Sequence, residues 1–554
     1  MSPIPWSLPS WVPKDSRVAC ALLVLTSCVT STTLGFDGSM MNGLNILPSY
    51  TDYFTLTTAT LALNTASVWM GSVISGIAYG KVPDIIGRKW ALFFGAILTI
   101  IGVIIQTASQ NIAMFVIARI IIGFGTGASS IAGPIYLAET LPVKYRAWGL
   151  GIFYDFWQVP FHPIPYLLRT FPRDPDSDQD QNPDPRPGET GYVGGLIAAG
   201  VTYGTAKFDS TWAWRLPSLL QCLFSIMCLC LLPFTPESPR WLVSQGRNQE
   251  ALVALANTCA NGNIDDAAVL IQYREVTDTL SFEQTYEKRS FVSQFLSSAT
   301  TRKRIFLVST VAVFCMLSGN NIISYYFGAM LTQAGITDST TQLEINIILN
   351  AWCLVVSIIG TMMSDKLGRK TLAAISTGLL TVFIFIVGAL TKTYGNSTNQ
   401  SGIYGTVASI FLFQGAYSFG WTPLTVLYPP EVLNYSIRSI GMSWYTFLVN
   451  GVGLMVTFSF PFALEAIGWK TYMINGAWDV LELVVVLTTW VETRGRTLEE
   501  IDENLDGVVH SDVPKLETLM GVPQAERAGI VEALDLSTAK EIEARGTVVE
   551  VPKE

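Results

Sequence analysis

The stretch Asp84-Ile85-Ile86-Gly87-Arg88-Lys89 returns as Asp365-Lys366-Leu367-Gly368-Arg369-Lys370. The two copies decide the fold because each closes a long apolar segment at an equivalent place in the chain. A bilayer core about 30 Å thick takes roughly 20 apolar residues per helix. Eleven windows of that kind lie near 18–36, 59–80, 90–108, 112–134, 213–234, 305–331, 345–363, 371–391, 403–427, 440–463 and 470–491. A further segment between Trp148 and Thr205 is apolar at both ends and interrupted in its middle, and it makes the twelfth. The first copy follows span 2 and the second follows span 8, so the repeating unit is six helices. Parallel six-helix repeats build secondary transporters around a site near the bilayer midplane. The expected fold is an all-α membrane protein, twelve transmembrane helices in two six-helix pseudo-symmetric bundles.

Composition agrees with this reading. Half of the 554 residues are hydrophobic and 14% are charged, against about 25% charged in soluble domains. Disordered and ordinary cytosolic classes are excluded. The net charge is −9, and the tail from Thr497 onward alone holds 14 acidic and 5 basic residues. Two histidines, His162 and His510, and eight cysteines show no metal-site spacing. No cofactor, metal or nucleic-acid partner is expected, and no catalytic constellation supports an enzyme. Gly123-Phe124-Gly125-Thr126-Gly127 lies inside span 4 without a preceding strand, so it reads as close helix packing rather than a nucleotide loop.

Orientation follows the positions of Lys and Arg in short loops. Lys81, Arg88 and Lys89 follow span 2, Lys144 and Arg146 follow span 4, and Arg240 and Arg247 follow span 6. In the second half Lys366, Arg369, Lys370, Arg438, Arg494 and Arg496 take the matching places, while loops 44–58, 332–344 and 391–402 hold only Lys392. Both termini are thereby expected in the cytoplasm. The sequons at Asn396 and Asn399 fall outside, where they are glycosylation candidates, and that at Asn434 falls inside.

The expected organisation is a cytoplasmic tail at 1–17, a bundle at 18–234, a charge-mixed helical linker at 235–304, a second bundle at 305–491 and an acidic tail at 492–554. Segment 158–191 interrupts span 5 with 34 residues that include eight prolines, six acids and three arginines. Irregular backbone facing lipid is not tolerated, so this segment reads as a retained intron or an insertion absent from the working protein, with a regulatory loop as the alternative.

The repeats extend to other charges. Glu139 precedes Arg146 by seven residues after span 4, and Glu431 precedes Arg438 by seven after span 10. With Asp84, Arg88, Asp365 and Arg369, they are expected to form an inside-face network that holds the halves together in one state and separates in the other. A set of local surface pairs, worth about 0–1 kcal/mol each, is the alternative.

These stretches resemble the sugar porter family of the major facilitator superfamily. The resemblance is carried by Gly35-Phe36-Asp37-Gly38, both Asp-x-x-Gly-Arg-Lys segments, and Arg119 with Glu139. Pro236-Glu237-Ser238-Pro239-Arg240-Trp241-Leu242, Pro430-Glu431-Val432-Leu433 through Arg438, and Val491-Glu492-Thr493-Arg494-Gly495-Arg496 complete it. It adds Glu237, Arg240, Glu492 and Arg494 to the network and looks most like the fungal lactose-permease-like and hexose-transporter branch. It implies the major facilitator fold and alternating access for a sugar or sugar-like solute, with proton symport at the plasma membrane by a monomer.

By that resemblance Asp37 and Arg119 hold the carboxylate and arginine positions of proton-coupled members. A carboxylate paired with arginine stays ionised, and breaking the pair in a dry site lets it take a proton. A static pair that only fixes packing is the alternative. The family builds its sugar site from amides on helices 5, 7, 8 and 11 and an aromatic on helix 10. The corresponding candidates are Tyr154, Asp155, Asn320, Asn321, Asn350, Trp421 and Asn450. Met316, Cys353 and Val426 stand where many members carry an amide or a tryptophan. That exchange opens a second expectation, a carrier or exporter of a less polar metabolite, and a non-transporting nutrient sensor is the third.

Overall fold

The computed structural model describes residues 11–142, 193–286, 299–395, 397, 399–433 and 435–494. Apolar runs with few breakers make long helices. The first half contains α1 (Ser16–Ile46), α2 (Thr58–Ala78), α3 (Arg88–Thr107), α4 (Ile112–Thr140), α5 (Val193–Thr205), α6 (Trp212–Leu220) and α7 (Cys222–Leu231). Three further helices follow in the linker: α8 (Pro239–Ser244), α9 (Asn248–Cys259) and α10 (Ala267–Tyr286). The second half contains α11 (Ala299–Leu317), α12 (Asn320–Gln333), α13 (Ser339–Leu367), α14 (Arg369–Tyr394), α15 (Gln400–Val432), α16 (Tyr435–Ile467) and α17 (Lys470–Thr489). Among the described residues ten helical segments are long and apolar enough to cross a bilayer. With α5 and the 33-residue α15, they make up the twelve-helix fold.

Span 7 is not one continuous helix. Gly319 adopts φ +85°, α11 stops before it, and α12 restarts at Asn320. The left-handed conformation is open to glycine at little steric cost.

Close packing explains the glycine ladder of α4. A Cβ on Gly123 would lie 2.0 Å from the Val68 carbonyl oxygen of α2, and one on Gly125 would lie 2.7 Å from the Gly95 carbonyl oxygen of α3. Gly360 of α13 plays the same part against Phe419 of α15, at 1.9 Å. The linker is tied to the start of α1: the Ser16 amide donates to Asn261 Oδ1 at 3.0 Å, and the Asn261 amide donates to Ser16 Oγ at 2.7 Å.

Candidate functional site

The two repeats build the same cage at the same end of each half. Gly87 and Gly368, at φ +98° and +90°, turn the chain into α3 and α14. The four orphan amides of a helix start need acceptors, and a carboxylate supplies them in each case. Glu237 accepts from the amides of Arg88 at 3.1 Å and Lys89 at 3.3 Å, and Glu492 accepts from those of Arg369 at 2.7 Å and Lys370 at 3.1 Å. Arg88 meets Glu139 through two bonds of 2.8 and 3.0 Å, and Arg369 meets Glu431 through two of 3.2 and 2.8 Å. The Ser238 hydroxyl donates to Glu139 and the Thr493 hydroxyl to Glu431. Tyr136 and Tyr428, three residues before each glutamate, donate to the carbonyls of Pro236 and Val491. Asp84, exposed, reaches Arg88 at 2.9 Å. Loss of water around Glu237 pushes its carboxyl above the usual carboxylate range, against the pull of the surrounding amides and of Lys89 and Arg88.

Every one of these links lies inside one half. Among the described residues each cage staples its own helices, because the bonded glutamate and arginine come from the same six-helix unit. Arg146 lies outside the described residues, and the side chains of Asp365 and Arg438 are likewise not described. Arg240 is half-buried and Arg494 exposed.

Between the halves lies a cavity of about 280 Å³. Asp37 is in its wall, 4% exposed, and pairs with fully buried Arg119 through two bonds of 3.1 Å. Arg119 also donates Nε–H to the Asn64 carbonyl at 3.0 Å, and Gln221 Nε2 donates to Asp37 Oδ1 at 2.9 Å. Gln221 was not singled out by the sequence reading, although a lone amide inside an apolar span is a visible signal.

Asn320, Asn321, Asn350 and Asn450 all line this cavity. Asn321 Nδ2 donates to the Met316 carbonyl at 3.1 Å, Asn350 Nδ2 to that of Asn346 at 2.8 Å and Asn450 Nδ2 to that of Thr446 at 2.8 Å. Trp421 is a correction. It is fully buried outside the cavity wall, its indole N–H donates to Thr377 Oγ1 at 3.2 Å, and it packs edge-on against Phe314 and Trp490. Tyr154 and Asp155 lie outside the described residues, as does Asn396; Asn399 caps α15 through its side-chain oxygen.

The cavity also holds amides that the sequence reading missed: Asn42, Asn346 and Gln414. Asn42 Nδ2 donates to Asn346 Oδ1 at 3.1 Å across the two halves, and Gln414 Nε2 donates to Asn320 Oδ1 at 2.7 Å. Asn42 Oδ1, Asn346 Nδ2 and Gln414 Oε1 have no partner among the described residues. Two acceptors and a donor in one buried wall suit a ligand rich in hydroxyls. Met316, Cys315 and Cys353 share the wall.

The chain matches the family model described as sugar (and other) transporter over residues 23–159 and 191–505, with 160–190 left out. It is 27% identical to a high-affinity glucose transporter of Kluyveromyces lactis, over 90% of this chain and 86% of that protein. It is 26% identical to the major myo-inositol transporter IolT of Bacillus subtilis, over 89% and 96% respectively. Its fold is shared with the proton:xylose symporter XylE bound to 6-bromo-6-deoxy-D-glucose, with TM-score 0.69 and 21% identity over 88% of this chain and all of that one. The inward-open form of XylE from E. coli matches with TM-score 0.65 and 21% identity, over 87% and 98%. The chain belongs to the sugar transporter family of the major facilitator superfamily, a multi-pass membrane protein and not an enzyme.

Proposed function

We propose that this protein carries a small neutral polyhydroxylated solute, a monosaccharide or cyclic polyol, by alternating access, with a proton taken up at Asp37. One observation carries the reading: Asp37 stands in the wall of the solute cavity while bonded to Arg119 and Gln221. A solute that shifts α1 bears directly on that ion pair. Loosening the pair in a dry site favours protonation of the carboxylate, which ties solute and proton to one event. The unpartnered amide atoms of Asn42, Asn346 and Gln414 support hydroxyl recognition.

Plasma-membrane residence with both termini cytoplasmic, function as a monomer and a transport body without 158–191 belong to the same reading. The inside-face cages serve it by keeping each half rigid as the two move. Modification at Asn396 and Asn399 is proposed for the outer loop.

A second reading is a carrier or exporter of a less polar metabolite, favoured by Met316, Cys315 and Cys353 in the cavity wall. Uptake of labelled glucose, xylose and myo-inositol in a transporter-deficient host, with and without a protonophore, separates the two. Protonophore-sensitive accumulation that Asp37→Asn converts to non-concentrating exchange is the expected result. Accumulation by Asp37→Asn under a pH gradient overturns the proton assignment, and no uptake of any of the three favours the less polar solute.

A further inference from the structure

α17 carries two acids in the middle of its span. Asp479 is the tenth and Glu482 the thirteenth of its 20 residues, and both are 0% exposed. Three residues apart on a helix, they share a face. Asp479 Oδ1 accepts from Asn475 Nδ2 at 3.2 Å, and Glu482 Oε1 accepts from the Trp478 indole N–H. Their second oxygens, Asp479 Oδ2 and Glu482 Oε2, meet no donor among the described residues.

Among the described residues no lysine, arginine or histidine forms an ion pair with either carboxylate. α14 presents Ile384 and Phe385 to α17 at Gly476. α16 meets α17 near its start, where Thr471 bonds the Ala463 carbonyl. From α11 the Cys315 thiol lies within electrostatic reach of Glu482. From α15 comes Tyr417, whose hydroxyl donates to the Cys315 carbonyl at 3.0 Å. Tyr472 on α17 itself bonds Gln333 Oε1 of α12 at 3.2 Å. These groups are neutral, so among the described residues none offsets two negative charges.

An isolated buried ion costs several kcal/mol even after relaxation, and its attraction to a partner is the usual compensation. Two neighbouring carboxylates without a cation cannot both be ionised, and they titrate as one unit. The arrangement holds a proton the way a lone buried acid does, with the indole and amide donors left to stabilise whichever oxygen is charged.

The pair also touches the transport machinery. Asn475 lies against the break in span 7, since a Cβ on Gly319 would be 2.9 Å from its Nδ2. The residues that follow, Asn320 and Asn321, line the cavity, as does Cys315. The acids therefore stand one layer behind the solute site, in the opposite half from Asp37.

We propose that Asp479 and Glu482 hold one proton between them at neutral pH and form a second proton site of the carrier, in its C-terminal half and independent of Asp37. The step is a simple protonation: a carboxylate oxygen takes H⁺ from water and returns it when the pair is rehydrated. The site deepens the transport reading, yet its test needs no solute.

Infrared difference spectroscopy of the purified full chain in lipid reads the C=O stretch of protonated carboxylic acids. Wild type minus Asp479→Asn/Glu482→Gln is expected to show that band at neutral pH, and Asp37→Asn is expected to keep it. Each single variant removes the like charge beside the remaining acid, so its band is expected to fade at a lower pH than in wild type. Trp478→Phe removes the indole donor from Glu482 and is expected to move the fading to higher pH. A flat difference spectrum overturns the proposal. Where the double variant does not fold, unchanged titration in both single variants overturns it equally. A chain that moves no sugar and still shows the band refutes the transport reading alone.

Discussion

Arg119 and Asp37 meet side by side, Nη1 to Oδ1 and Nη2 to Oδ2, each at 3.1 Å, with neither side chain more than 5% exposed. Removing one member of a buried pair leaves an uncompensated charge and costs about 3–5 kcal/mol, whereas replacing both members is far milder. Arg119→Met is expected to lower the thermal unfolding midpoint of the purified protein sharply, and Asp37→Asn/Arg119→Met to restore most of it. Equal midpoints for the single and double variants would contradict the pairing.

Gly368 is held at φ +90°, and a Cβ there would lie 2.5 Å from Glu492 Oε2. Both the strain and the clash fall on the helix cap, so Gly368→Ala is expected to cost about 2 kcal/mol. Gly378 on the same helix has open space around it, and Gly378→Ala is expected to be neutral or to stabilise by up to about 1 kcal/mol. Comparing the two midpoints side by side checks the claim.

The Glu237 carboxyl is pushed above its ordinary range by burial. A raised folded-state value means that the folded protein binds this proton more tightly than the unfolded chain does. The stability it contributes is present below the ordinary carboxylate value, about 4.3, and is lost as pH rises through the folded value. The unfolding midpoint of wild type minus that of Glu237→Gln is therefore expected to decline as pH rises from the carboxylate range. A difference that grows with pH would refute the sign.

Gln414 lines the cavity, its amide nitrogen held by Asn320 and its Oε1 without a partner among the described residues. Loss of a neutral hydrogen bond is worth about 0.5–1.5 kcal/mol, or roughly a factor of two to ten in affinity. Gln414→Leu is expected to raise the KM for a transported sugar by that factor with kcat little changed. Radiolabelled uptake kinetics give the answer.

The family match stops at 159 and resumes at 191. A message that skips the segment, and higher membrane accumulation of a chain lacking 160–190, are expected from transcript sequencing and quantitative membrane blotting. A transcript that encodes Pro160 through Glu189 would refute the intron reading.

The helix count and the six-helix repeat were legible because apolar length and the doubled Asp-x-x-Gly-Arg-Lys are local patterns. Asp37 and Arg119 were legible for a similar reason, as charges at membrane depth are rare. The partners inside each cage were not. Glu139 is paired in sequence with Arg146 by spacing, but the fold brings Arg88 of a different helix to it. Trp421 was misplaced because its distance from Glu431 says nothing about which face of α15 it occupies. Asn42, Asn346 and Gln414 went unnoticed since single amides in apolar spans look alike until the two halves meet. Asp479 and Glu482 were readable as two acids in one apolar window, yet nothing in the sequence says that no cation faces them.

The break at Gly319 divides ownership of span 7. α11 is anchored in its own half, through Arg304 on the Val432 carbonyl at 2.7 Å and Trp444 on Ser309 at 2.9 Å. α12 reaches both halves: Asn45 Nδ2 donates to the Tyr325 carbonyl at 3.2 Å and Gly328 packs on Ile46, while Tyr326 and Gln333 donate to the Thr457 and Leu464 carbonyls of α16 at 2.5 and 3.3 Å. A 14-residue helix of about 21 Å thus belongs to one half by the chain and touches both. The short arm is thus a strut shared by both bundles, joined to α11 through the one residue type that takes the left-handed turn at little cost.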